Sequence, residues 1–134
     1  MPPRRRIDPE QGRLAYECWQ QEQALDRAAL ATAVRYTLEE LGLRVPGRSV
    51  EVRVPPFGAV QCIAGPRHPR GTPPNVVETD ADTWLGLTSG RLTWAQAEAS
   101  GRVRASGRRA DLAAYLPLDA LPGQTLPGQG LPVQ

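Results

Sequence analysis

There is no lysine in this sequence, so the cationic side chains are arginines apart from a single histidine. Arg4, Arg5, Arg6 and Arg13 stand against only Asp8 and Glu10, and that opening stretch accounts for the whole formal net charge of +2. The rest of the chain is balanced, which argues against a broad basic face of the kind that binds nucleic acid. Three clustered arginines could touch an anionic bilayer at roughly 1 kcal/mol each, too little for a stable anchor. Two cysteines and one histidine do not build a Cys/His metal site of ordinary spacing. No apolar run reaches membrane-spanning length. Met-Pro-Pro-Arg-Arg-Arg leads into a capped helix without an apolar leader core, so the expected compartment is the cytoplasm, with Cys18 and Cys62 reduced. No repeat of solenoid period is present.

What the chain does have is well-marked punctuation. Asp8, Pro9 and Gln11 open a helix as N-cap, first and third helical residues. Leu14, Ala15, Cys18 and Trp19 recur at helical spacing before a polar run from Gln20 to Gln23. Asp26 caps a second helix, flanked by Leu25 and Leu30 as a hydrophobic staple. Its stripe is Leu30, Val34, Leu38 and Leu41, and Gly42 is expected to stop it. Val50, Val52 and Val54 alternate with Ser49, Glu51 and Arg53, the pattern of a half-covered strand. Pro55 to Gly58 reads as a turn, with Ala59 to Ile63 returning as a hairpin. After the Pro/Gly/Arg loop 65–74, a third strand is expected over 75–78. Thr79 and Asp80, with Asp82, start a helix that Gly90 ends; Thr93 and Gln96 start another that Gly101 closes. A fourth strand over 102–106 turns at Gly107 into a last helix, Asp111 to Leu116, before Pro117. The expected fold is a single α+β domain, a mostly antiparallel sheet of about four to five strands with helices covering one face. Residues 1–7 are expected as a basic flexible arm, 8–118 as the domain, and 119–134, a near-repeat of Leu-Pro-Gly-Gln, as a disordered tail.

The run Trp84-Leu85, Gly90-Arg91-Leu92, Ala97, Gly101, Val103, Gly107 and a short apolar end resembles the C-terminal half of the sterol carrier protein type 2 domain. Roughly 13–118 resembles the bacterial orthologue group of that domain. The resemblance implies an apolar cavity for a fatty acyl chain, sterol or similar lipid, non-catalytic, with no cofactor. Its candidate lining is Trp84, Leu85, Leu87, Trp94, Ala97, Val103, Leu112, Tyr115 and Leu116, the last helix standing as a lid over the mouth. The same spacing serves equally a plain filled core.

A fatty acid or acyl-coenzyme A needs a cation for its head group. Arg67, His68 and Arg70 in the long loop, and Arg102 and Arg104 around the fourth strand, are the candidates, weighed against a solvated sheet face. Two other readings stay open. The domain could be an interaction or homodimerisation unit with its cavity closed by small residues such as Ala97, Ala99, Ala105, Ala113 and Ala114. It could also assist a thiol-dependent isomerase, which requires Cys62 and His68 to converge in one cleft. Neither a catalytic residue set nor a metal site is assigned.

Overall fold

The computed structural model describes residues 5–65, 75–118 and Leu121. Asp8 accepts a hydrogen bond from the Gln11 amide and caps α1 (Pro9–Gln20); Asp26 does the same for the Ala29 amide at the head of α2 (Arg27–Arg44). These short acceptors satisfy amides that a helix start leaves unpaired. Gly42 does not end α2, which runs on through Arg44. A Cβ on Gly42 would lie 2.7 Å from Val60 Cγ2, so the bare glycine lets the helix settle onto the sheet edge.

The alternating valines form β1 (Val50–Val54), with all three buried and Glu51 and Arg53 on the opposite face. The chain turns through Pro55, Pro56 and Phe57 into β2 (Gly58–Cys62), in antiparallel register from Val54↔Gly58 to Val50↔Cys62. The turn is one residue shorter than the sequence suggests. β3 (Asn75–Thr79) runs parallel to β1 from Val50↔Asn75, and β4 (Val103–Ser106) pairs antiparallel with β3. The sheet order is β2-β1-β3-β4. It is mostly antiparallel, as the punctuation implies, but its central pair is parallel. Hairpin signals identify neighbours in sequence; they carry no information on which strand a later one chooses.

α3 (Ala81–Ser89) follows with Asp80 as its N-cap and Gly90 in the left-handed conformation at its end. Thr79 belongs to the strand rather than the cap, its hydroxyl donating to the Arg102 carbonyl at 2.8 Å. α4 (Trp94–Ala99) carries the full capping box between Thr93 and Gln96. The expected last helix does not form. Asp111 accepts from the Ala113 amide, a local bond that competes with helix geometry, and one Leu112–Tyr115 turn follows. Leu118 instead hands its amide to the Thr88 carbonyl, and the core extends to Leu121, buried beyond the expected domain end at 118.

Of the face that Leu14, Ala15, Cys18 and Trp19 suggest, Ala15 and Trp19 do pack against the core, but Leu14 does not and the face is centred on Gly12 and Tyr16. Leu14 is 50% exposed, while Gly12 and Tyr16 are buried. Tyr16 stacks 6.5 Å from Trp19, lies 6.1 Å from Tyr36, and hydrogen-bonds Thr88 at 3.0 Å. Trp19 bonds Asp82 and lies under the Arg91 guanidinium, tying α1 to α3.

Candidate functional site

A cleft of about 380 Å³ lies between α2, the β2 edge of the sheet and the segment entering α1. Its walls are Arg6 and Ile7; Arg35, Leu38 and Glu39 of α2; and Gly58, Ala59 and Val60 of β2. That volume falls within the range of about 300–1,000 Å³ of small-molecule pockets. The floor is apolar: Leu38 is buried, and Ile7 and Val60 are half-buried against the core. A Cβ on Gly58 would make ordinary van der Waals contact with Leu38 Cδ1 at 3.5 Å and Arg35 Cγ at 3.6 Å.

The polar rim is held by specific contacts. Arg35 donates through Nε to the Phe57 carbonyl at 2.7 Å, which fixes the stem of its guanidinium against the hairpin turn. Arg27 lies over the Phe57 ring at 5.5 Å, holding the same turn from the other side. Among the described residues no carboxylate pairs with Arg35. Glu39 faces the other wall. Both its oxygens accept the Arg6 amide at 3.0 Å, and one also accepts the Ile7 amide at 3.1 Å. Next to it Glu40, buried, is ion-paired with Arg5 at 2.8 Å and Arg44 at 2.6 Å. Residues 5–7, expected as a free arm, are therefore seated on α2.

The residues singled out from the sequence are placed elsewhere. Trp84, Leu85, Leu87, Trp94, Ala97, Val103 and Leu112 are all buried in one core cluster, with Tyr115 and Leu116 half-buried at its margin. The Trp84 indole donates to Thr37 Oγ1 at 2.8 Å, whereas the buried Trp94 indole nitrogen has no acceptor among the described residues. Arg102 and Arg104 are exposed, and Arg104 stands across from Glu78 in the strand register. Arg67, His68 and Arg70 lie outside the described residues, so the structure does not address a Cys62–His68 pair. Cys62 itself is fully buried, and that burial pushes its thiol up to about 12, far from a nucleophile at neutral pH. Burial likewise raises Tyr36, to about 12, and Tyr16.

The cleft went unseen in the sequence because its three walls are distant along the chain. One signal was available. Ile7 follows the three arginines 4–6 directly, and Glu39-Glu40 is an acidic pair off the apolar stripe of α2, able to receive Arg5 and Arg6.

Among the described residues no helix is long and apolar enough to cross a membrane, and no three His, Cys, Asp or Glu side chains gather as a metal-holding group. No curated protein matches the chain. The family model of the bacterial SCP orthologues does match, over residues 26–118, from the N-cap of α2 to Leu118, and the chain belongs to that family.

Proposed function

We propose that this protein is a non-catalytic binding module for a fatty acyl chain or similar apolar small molecule, with the cleft between α2 and β2 as its site. Membership of the bacterial SCP orthologues supports a sterol-carrier-like, lipid-binding domain. The observation that carries the assignment to this site is the pairing of an apolar floor, Ile7, Leu38 and Val60, with a positioned guanidinium at the rim, Arg35. An amphiphile meets both demands: methylenes on the floor, and a carboxylate or phosphate on the rim, where arginine offers a planar fork of donors. Arg35 thus takes the head-group role that the sequence suggested for Arg67, His68, Arg70, Arg102 or Arg104.

Each buried methylene contributes about 0.8 kcal/mol, so ten provide about 8 kcal/mol before the cost of immobilising the ligand. About 8 kcal/mol is the micromolar figure, so after that cost ten methylenes alone bind more weakly than micromolar, and the head-group contact adds to them. The test is displacement of a neutral apolar fluorophore, N-phenyl-1-naphthylamine, by octanoate, decanoate and dodecanoate. Affinity should rise roughly fourfold per added methylene until the cleft is filled. A flat series, or no displacement at all, sinks this reading. It would instead favour an interaction domain with a closed interior, a reading that draws on the close packing of Trp84, Leu85, Leu87 and Ala97.

A further inference from the structure

We propose that Arg5–Ile7 is a movable wall of the ligand site and that Glu39 is its latch. The inference rests on the cleft reading above and adds binding residues to it. Arg6 and Ile7 line the cleft, yet they precede the span 26–118 matched by the family model. The wall thus lies outside the matched span, and it completes a site that α2 and β2 alone leave open on one side.

The way this wall is attached is what makes it movable. The cleft's other two walls are a helix and a sheet strand, held by continuous backbone ladders. Residues 5–7 are held mainly by polar contacts to two neighbouring side chains. Glu39 takes the amides of Arg6 and Ile7, and Glu40 takes the Arg5 guanidinium. The Arg6–Glu39 bonds are exposed to solvent. Ile7 adds a half-buried apolar contact to the core. Segments held by few apolar contacts and exposed hydrogen bonds open at low free energy. Beyond Ile7 the chain is fixed again at once, because Asp8 caps α1 and Pro9 begins it. Any swing is therefore confined to the segment before Asp8.

A wall closed over the cleft slows both arrival and departure of ligand. Opening requires the Glu39 carboxylate to release two amides. Glu39→Gln keeps the size of the side chain and removes its charge, so both bonds weaken. Loss of charge assistance at one such contact corresponds to about a tenfold change in the opening equilibrium.

The experiment uses the full chain and two readouts. Stopped-flow fluorescence with N-phenyl-1-naphthylamine gives association and dissociation rates, and hydrogen exchange gives the protection of the Arg6 and Ile7 amides. Glu39→Gln should speed amide exchange and both dye rates by about tenfold, with the dissociation constant changing much less. Arg5→Gln, which breaks the contact to Glu40, should move every quantity in the same direction, and it guards against an effect peculiar to one variant. Faster exchange with unchanged dye rates would show that the wall opens without controlling the site, and the proposal fails. Unchanged exchange in Glu39→Gln removes Glu39 as the latch and overturns it equally. A wild-type protein that binds no dye takes down the cleft reading and the wall together. The two failures are thereby told apart.

Discussion

Cys62 shows how a single environment decides what a side chain can do. It sits at the end of β2 facing Val50, fully buried, and among the described residues no charge or donor offsets the desolvation of its thiolate. Its ionisation is pushed from the ordinary 9.0 to about 12. The unfolded chain loses that proton first, so alkaline solution favours unfolding. The stability tied to Cys62 is complete below pH 9 and drains away as pH rises toward 12. Tyr36, held up to about 12 by burial and by the neighbouring Glu40 charge, adds a second loss that begins near pH 10. Chemical denaturation across alkaline pH should therefore show stability flat between pH 7 and 9 and falling above it. Cys62→Ala should abolish the slope between 9 and 10 and reduce, without abolishing, the slope between 10 and 12, where Tyr36 also contributes. A slope between 9 and 10 that survives in Cys62→Ala would contradict this account of the thiol.

At the scale of elements, α1 and α2 meet through a residue with no side chain. A Cβ on Gly12 would stand 2.2 Å from Tyr36 Cδ1, 2.4 Å from Cγ and 2.9 Å from Cβ. The ring cannot swing clear, since Tyr36 is 1% exposed and lies against Tyr16. Alanine in place of glycine gains about 1 kcal/mol of helix propensity, but overpacking of this kind costs about 1–3 kcal/mol. Because the clash is with the root of a side chain rather than its tip, the steric term should win. Gly12→Ala is expected to lower the urea midpoint without changing the slope; a raised midpoint would mean that α1 shifts freely on α2.

The same pair of helices shows where sequence reading succeeds and where it stops. Asp8, Asp26 and the Thr93–Gln96 box cap their helices as their spacing suggests, because a cap is a bond between residues three apart. The strict alternation of Val50, Val52 and Val54 likewise shows its buried face directly. Gly42 misleads, because a glycine that permits close packing on Val60 reads the same as one that ends a helix. Leu14 misleads for a related reason: the buried face of α1 is chosen by Gly12 and Tyr16 fitting Tyr36, contacts between residues far apart in the chain.

Seen as a whole molecule, the protein packs Trp84, Leu85, Leu87, Trp94, Ala97, Val103 and Leu112 into its core and leaves a cleft at the margin of that core, beside α2 and β2. The apolar stripe of α3 and α4 was legible from spacing, but spacing does not distinguish a cavity wall from filling. The cleft depends on residues 5–7 meeting residues 35–39 and 58–60, a convergence set by tertiary packing alone. The central claim is that ligand binds there. The most direct measurement is a backbone-amide chemical-shift map of the full chain, titrated with dodecanoate below its micelle concentration. The account predicts saturable shifts centred on Ile7, Leu38 and Gly58 to Val60, with Trp84 and Trp94 little moved. Saturable shifts centred on α3 and α4 instead, or none that saturate, would contradict it.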